Sequence, residues 1–238
     1  MNRAIVDKAL ESLFLAGGCG ATELLLIRHA AASSSWDDAQ CRLTPSERDQ
    51  AHRLGQELTD GRLAAVYCAA TPSSTETAQI LADEARCQLE VVPGLAPIAI
   101  APAEEPWMTG GFALAVDAVA QRFCCCPRWD SVPSAENGRL FRRRAIQAVE
   151  SVAARHQGET VALVTHDCVI NAYLSMVLDI PRDMFFVPSP VSVSAVRIKG
   201  DRYGVQCINS QRPPGVANTA AVPSVSMNAS LLRGVDRR

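Results

Sequence analysis

The sequence predicts an α/β fold, a three-layer α/β/α sandwich built on a mostly parallel sheet. Two aliphatic runs, residues 24–27 and 161–164, are typical of parallel strands buried on both faces. Such runs alternate along the chain with segments of helical character, which favours a parallel sheet covered by helices. The 238 residues suffice for one substantial core, so a single folded domain is the simplest organisation.

The first half of the chain carries clear signals for the start and end of helices. Thr44, Pro45 and Glu47 combine a capping threonine, a proline at the first helical position and a glutamate three residues after the cap. The predicted elements of this half are, in order, a helix over 2–16 ended by Gly17-Gly18, a strand over 23–28, a helix from 44 to about 60, a strand over 63–68, a helix capped by Ser74 or Thr75 and ending near 85, and a strand over 89–92.

The second half continues the alternation after an irregular segment over 96–112, which is rich in proline, alanine and glycine. The predicted elements that follow are a helix over 112–124, a helix over 140–156, a strand over 160–165, a helix over 167–178, and strands over 191–198 and 203–208 joined by a turn at Gly200-Asp201. Residues 211–238 lack periodicity and predict a disordered tail. The predicted organisation is therefore an N-terminal helical extension over 1–20, one domain over 21–210, and this tail.

Composition excludes several classes of partner. Hydrophobic residues make up 48% of the chain and charged residues 20%, and the net charge of −2 selects neither nucleic acid nor a membrane surface. No apolar run approaches the ~20 residues that a membrane-spanning helix needs. The nine cysteines show no zinc-ligand spacing, so we expect free thiols in a reducing, cytoplasmic compartment, and neither a metal nor a cofactor.

Polar side chains follow two of the predicted strands. Arg28 and His29 come where the first strand ends, and His166 directly follows the strand over 160–165. Ligands of open α/β sheets bind outside the carboxyl ends of the strands. Arginine grips phosphate oxygens with a planar fork, and histidine can act as a covalent nucleophile. Either histidine alone is well explained as a hydrogen-bonded core residue. Two of the four histidines follow the end of a predicted buried strand, however, and this repetition favours phosphate chemistry.

A set of short motifs runs in order from about residue 23 to 208. They are Arg28-His29-Ala30, Leu43-Thr44, Gln50-Ala51, Leu54-Gly55, Glu76-Thr77-Ala78, Gly158-Glu159-Thr160 and Val164-Thr165-His166-Asp167. In this order and spacing they resemble the histidine phosphatase superfamily, the phosphoglycerate-mutase-like proteins, whose signature opens with Arg-His-Gly. The resemblance implies the same α/β sandwich, with His29 and His166 facing each other across one pocket.

The resemblance also implies a two-step phosphoryl transfer. His29 would attack phosphorus as a neutral imidazole and become phosphohistidine, and water would then release phosphate. Arg28 and His166, the latter as a cation, would bind the phosphoryl oxygens and stabilise the charge of the transition state.

Two positions depart from the family pattern. The family's second phosphate-binding arginine falls on Ser73, whose hydroxyl offers one neutral hydrogen bond in place of a charged fork. The usual general-acid glutamate falls on Pro97, which has no proton to give. The candidate acids are Glu104, Glu105 and Asp167. The alternative interpretation of Glu104 and Glu105 is that they are solvated loop carboxylates, and that of Asp167 is that it is a helix N-cap.

The sequence therefore leaves two hypotheses. The first is a phosphohydrolase that acts on a small phosphorylated metabolite or on a phosphohistidine protein. The second is a catalytically weak or inactive member of the same fold that binds phosphate or acts as a scaffold, which the losses at Ser73 and Pro97 favour. A cysteine phosphatase is set aside because the chain has no Cys-x5-Arg stretch. Glu136, where many members carry Gly-Glu-Ser, is interpreted first as a helix-start residue and second as a site residue.

Overall fold

The computed structural model describes residues 3–10, 20–30, 42–59, 63–100, 120–132 and 135–214. The helices are α1 (Arg3–Leu10), α2 (Pro45–Glu57), α3 (Pro72–Ala85), α4 (Gly138–Arg155) and α5 (Asp167–Val177). The strands are β1 (Thr22–Arg28), β2 (Leu63–Cys68), β3 (Gln88–Val91), β4 (Thr160–Thr165), β5 (Val193–Lys199) and β6 (Arg202–Ser210). Residues 120–125 are also helical, and 3₁₀ turns occupy Pro93–Leu95 and Trp129–Ser131.

The six strands form one sheet in the order β3-β2-β4-β1-β5-β6. Strands β1, β2, β3 and β4 are parallel, whereas β5 runs antiparallel to β1 and β6 runs antiparallel to β5. A turn at Gly200, with φ of +62°, joins the last two strands into a hairpin. This sheet confirms the predicted α/β fold and its mostly parallel strands.

Successive side chains of the central strand β1 enter two separate cores, one on each face of the sheet. Leu24 and Leu26 lie in the core formed with α4 and α5, whereas Leu25 and Ile27 lie in the core formed with α2 and α3. These four side chains are at most 2% exposed. Burial on both faces explains why β1 is an unbroken aliphatic run, and helices on both faces complete the three layers.

The structure corrects the predicted start of α3. Ser74 and Thr75 were the expected caps, but the helix begins at Pro72 and its N-cap is Thr71, whose backbone is extended (φ −90°, ψ 148°). Proline suits the first helical position because an N–H there has no partner within the helix. The start of α3 is therefore closer to the carboxyl end of β2 than the sequence indicated.

Several predictions fall partly outside the described residues. The structure shows helix over 3–10 of the predicted 2–16 and over 120–125 near the end of the predicted 112–124, and the tail from residue 215 onward lies outside the described part. The seven cysteines among the described residues are free thiols. None of the helices in these described segments is both long and apolar enough to cross a membrane.

The 3₁₀ turn Pro93–Leu95 packs closely on α4. A Cβ atom at Gly94 would lie 2.6 Å from the Cβ atom of Ala148, so only glycine permits this approach. Leu95 is fully buried, and its carbonyl oxygen accepts a hydrogen bond from the hydroxyl of Thr165 at 2.8 Å. The segment after β3 is thereby fixed at the carboxyl end of the sheet, where β4 also ends.

Candidate active site

The carboxyl ends of β1 and β4 bring His29 and His166 together. The two strands are neighbours that pair Arg28 with Thr165, so the next residue of each strand lies at the same edge of the sheet. The two imidazole centroids are 4.6 Å apart and the ring planes are inclined by 60°. His29 is 7% exposed and His166 is 4% exposed. The structure thus brings together the two histidines that the sequence analysis singled out.

Main-chain contacts orient His29. The main-chain N–H of His29 donates to the carbonyl oxygen of Thr165 at 3.0 Å, which ties the end of β1 to β4. Its Nδ1 lies 2.8 Å from the carbonyl oxygen of Ala30. A carbonyl can only accept, so Nδ1 carries the proton and the lone pair of the neutral imidazole is on Nε2. Nε2 is therefore the atom of His29 that can attack phosphorus.

Arg28 is held by the loop that precedes β5. Its Nη1 donates to the carbonyl oxygen of Pro188, while its Nε is enclosed and has no hydrogen-bond partner among the described residues. The Val191 N–H donates to the Arg28 carbonyl, and the Arg28 N–H donates to the Ser192 carbonyl. Val191 has φ of +57°, a costly conformation for a β-branched residue, and this bend starts β5 two residues later than predicted, at Val193.

His166 is contacted by the N-cap residue of α3. The Thr71 hydroxyl oxygen lies 3.0 Å from Nε2 of His166. Burial lowers the pKa of His166 to about 3, and the charge of Arg28, together with that of His29 whenever His29 is protonated, acts in the same direction. His166 is therefore neutral at neutral pH, whereas the sequence analysis expected a cation. A phosphate dianion close to this ring would raise its pKa again.

The first turn of α3 is bonded to the chain that follows His29. Thr77 donates its hydroxyl to the carbonyl oxygen of Ser73 at 2.7 Å and accepts the N–H of Ala30 at 3.1 Å. Ser73 itself is fully buried. The structure therefore places Ser73 in the part of α3 that lies against His29 and Ala30.

A sequence model of the histidine phosphatase superfamily, branch 1, matches residues 24–211. The chain belongs to the histidine phosphatase superfamily. Among solved structures, YhfR of Bacillus stearothermophilus is similar, with 25% identity and a TM-score of 0.66 over 80% of this chain and 98% of that chain. No curated protein sequence matches the chain.

Two further solved structures share the fold. An alpha-ribazole phosphatase from Shigella flexneri is 20% identical, with a TM-score of 0.65 over 82% of this chain and 100% of that chain. A phosphoglycerate mutase from Bacillus anthracis is 17% identical, with a TM-score of 0.65 over 81% of this chain and 95% of that chain. These comparisons confirm the phosphoglycerate-mutase-like fold that the motifs implied.

The candidate general acids differ in where they lie. Asp167 directly follows His166, and its Oδ1 accepts the N–H of Cys168 at 2.7 Å. Asp167 is the first residue of α5 and His166 is its N-cap, so the alternative interpretation of Asp167 as the cap is wrong. Glu104 and Glu105 lie outside the described residues. Among the three candidates, Asp167 is the one within the described residues, where it directly follows His166 in the chain.

Glu136 and Arg144 form a clamp on residues 94–97, the segment after β3 that includes the position where superfamily members carry the general acid. Nε and Nη2 of Arg144 donate to the two carboxylate oxygens of Glu136 at 2.8 and 2.7 Å. The same guanidinium donates to the main-chain carbonyls of Gly94, Ala96 and Pro97. The Glu136 carboxylate is therefore directed at Arg144, which favours the structural interpretation of this residue.

The sequence analysis missed Thr71 and Arg144. The pair Thr71-Pro72, three residues after the end of β2, is itself a helix-start signal, and it could have placed Thr71 at the edge of the site. Arg144 has no comparable local signal, because its partners are 8 to 50 residues away in the chain.

We expect the clamp to make stability depend on pH. The Arg144 hydrogen bonds lower the pKa of Glu136 below its ordinary value of 4.5. Because the folded-state pKa is depressed, the stabilisation is present above pH 4.5 and is lost as the pH falls through the lower folded value. Glu136→Gln should therefore reduce the free energy of unfolding at neutral pH by about 1–2 kcal/mol. The difference in the free energy of unfolding between the variant and the wild type should shrink in acid. Urea unfolding at neutral pH and at a pH below the folded-state pKa of Glu136 measures it.

Glu90→Gln is the matched control for this measurement. Glu90 also forms a forked pair with an arginine, Arg155, but both side chains are about half exposed, at 52% and 48%. Exposed pairs contribute little, so Glu90→Gln should change stability by less than about 1 kcal/mol at either pH. Equal losses in the two variants would contradict a special role for the clamp.

Proposed function

We propose that the protein is a phosphohydrolase that uses a phosphohistidine intermediate on His29. The observation that carries this proposal is the pair of imidazoles 4.6 Å apart at the ends of two adjacent parallel strands. Arg28 directly precedes His29 and has an enclosed Nε without a hydrogen-bond partner among the described residues, which suits an anionic ligand. The proposed substrate is a small phosphorylated metabolite or a phosphohistidine protein.

In the first step, Nε2 of His29 attacks phosphorus, the bond from phosphorus to the leaving-group oxygen or nitrogen breaks, and the leaving group takes up a proton from a water molecule or from a protonated carboxyl group such as Asp167. In the second step, a water oxygen attacks phosphorus, the phosphorus–nitrogen bond breaks, and phosphate and neutral His29 are formed. Arg28 and His166 bind the phosphoryl oxygens in both steps, since charge stabilisation dominates this kind of transfer. The hydrogen bond from Nδ1 to the Ala30 carbonyl fixes the tautomer in which Nε2 bears the lone pair that attacks phosphorus.

The proposed substrate class matches what the names of two similar structures say of those proteins. An alpha-ribazole phosphatase and a mycobacterial glucosyl-3-phosphoglycerate phosphatase, the latter in a complex with VO3, share this fold. At 20% and 17% identity, these two structures support the fold alone. A small phosphorylated metabolite as the substrate of this chain is therefore part of the proposal.

Trapping the intermediate tests the proposed function. The protein is mixed with a phosphate ester or phosphoramidate, quenched within milliseconds, digested and analysed by mass spectrometry. We expect phosphate that is labile in acid and stable in alkali on the peptide that contains His29. Phosphate on any other residue would contradict the mechanism.

A phosphate-binding or scaffolding role is the second candidate function. Ser73 and Pro97, which stand where the family has an arginine and a glutamate, favour it. A purified protein that binds phosphate but releases none from any ester or phosphoramidate would support this role over hydrolysis.

A further inference from the structure

We propose that the first turn of α3 is a charge-neutral half of the phosphate site, in which the buried Ser73 hydroxyl and the helix N-terminus act in place of a second cation. The inference rests on the proposed function, since it concerns the phosphoryl group that reaches His29. It assigns a ligand contact to the position where the family's arginine is lost.

Two contacts on either side of Ser73 fix where it lies. Before it, the Thr71 hydroxyl contacts Nε2 of His166 at 3.0 Å. After it, the Thr77 hydroxyl accepts the N–H of Ala30, the residue next to His29, at 3.1 Å. Ser73 and Thr77 are four residues apart, and such positions share one face of a helix. Ser73 therefore shares a face of α3 with Thr77, which contacts the chain next to His29, and it lies two residues from Thr71, which contacts His166.

The Ser73 hydroxyl has no hydrogen-bond partner among the described residues. Ser73 is 0% exposed, and its Oγ is enclosed by protein. Buried hydroxyls are nearly always hydrogen-bonded, because the loss of hydration is otherwise uncompensated. An oxygen of a bound phosphoryl group would accept the missing hydrogen bond.

The N-terminus of α3 adds a second attraction for an anion. Thr71 makes no side-chain capping bond to this helix, because its hydroxyl is directed at His166 instead. The first N–H groups of a helix point outward and carry partial positive charge, which makes an uncapped N-terminus a binding site for phosphate. The helix has 14 residues, long enough for this effect to develop.

These contacts explain how a site to which the described residues contribute one arginine can still hold a phosphoryl group. Arg28 supplies the charged fork, and α3 supplies a neutral hydroxyl and a helix dipole on the other side of the imidazole pair. A neutral donor binds more weakly than a second guanidinium, so we expect modest affinity for phosphate and a measurable share of it from Ser73.

Ser73→Ala should move phosphate affinity and stability in opposite directions. Removal of the buried hydroxyl should raise Tm by about 2–4 °C, since an uncompensated polar group is lost. Affinity for inorganic phosphate should fall about 3- to 10-fold, the effect of one neutral hydrogen bond. Calorimetric titration with inorganic phosphate and thermal unfolding of the full-length protein measure the two quantities.

Ser74→Ala is the matched control. Ser74 is on the same helix, is also 0% exposed, and also has a buried Oγ without a partner in the described part of the chain. Its face of α3 carries Ala78 and Leu81, which pack into the apolar core. We expect Ser74→Ala to raise Tm in the same way and to leave phosphate affinity unchanged.

The outcomes separate this inference from the proposed function. If the wild type hydrolyses p-nitrophenyl phosphate through His29 but Ser73→Ala binds phosphate as tightly as the wild type, the inference is overturned and the proposed function stands. If phosphate affinity depends on Ser73 and no hydrolysis occurs, the inference stands and the proposed function fails. A wild type that binds no phosphate overturns the inference.

If Ser73→Ala does not fold, Ser73→Cys, of similar size and with a weak donor, takes its place under the same criteria.

Discussion

His29→Ala is expected to abolish phosphate release, because Nε2 of this residue is the atom proposed to attack phosphorus. Removal of the nucleophile from a hydrolase that works through a covalent intermediate lowers turnover by a factor on the order of 10⁶. The residual rate should still exceed that of the uncatalysed reaction, because Arg28 and His166 can still bind the phosphoryl group. The measurement is kcat for p-nitrophenyl phosphate at saturating substrate, with circular dichroism to confirm that the variant is folded.

His52→Ala is the matched control for the loss of an imidazole. His52 lies on α2, is about half exposed and pairs with Glu84 through an Nδ1–Oε1 distance of 2.8 Å. Its loss should leave kcat unchanged. A folded His29→Ala protein that keeps a substantial part of the wild-type rate would rule out His29 as the nucleophile.

A strong dependence on the leaving group is the second large effect that we expect. Pro97 cannot supply a proton at the position usual for the family, and a general acid contributes about 10²–10⁴ in rate when the leaving group is a poor one. Nitrophenyl phosphate and phosphoramidates should therefore be hydrolysed far faster than sugar phosphates. The measurement is kcat/KM across a series of leaving groups of rising pKa.

A flat series would contradict this expectation and would show that an efficient acid is present. In that case Asp167→Asn should steepen the series if Asp167, beside His166, is the acid. Asp179→Asn is the control, since Asp179 is exposed and follows the far end of α5, about 18 Å along the helix axis from Asp167. If neither Asp167→Asn nor substitution of Glu104 or Glu105 steepens a flat series, all three assignments are wrong.

The parts of the fold that the sequence predicted are those with local signals. The bounds of β4 and the start of α2 agree with the prediction, because a strand buried on both faces is an aliphatic run and because Thr44, Pro45 and Glu47 form a capping box. The resemblance implied that His29 and His166 face each other, and the structure gives the reason: each follows a parallel strand, and β1 and β4 are neighbours whose carboxyl ends share one edge of the sheet.

What the sequence did not predict depends on contacts between distant segments. The hydroxyl of Thr71 is directed at His166, 95 residues away, and no pattern around Thr71 indicates this contact. The bend at Val191 exists because its main chain pairs with Arg28, and a valine gives no local sign of a left-handed backbone. The protonation state of His166 likewise follows from burial and from neighbours that the fold supplies.

The Arg144 clamp has a consequence for how activity can change over evolution. Arg144 holds the segment after β3 through carbonyl oxygens, which every amino acid presents, and Gly94 is the position in it where an added Cβ would collide with α4. The hydrogen bonds that hold this segment therefore do not depend on which side chain stands at position 97. An acid can be lost or regained there while the backbone keeps its course, so selectivity among leaving groups can drift independently of the stability of the fold.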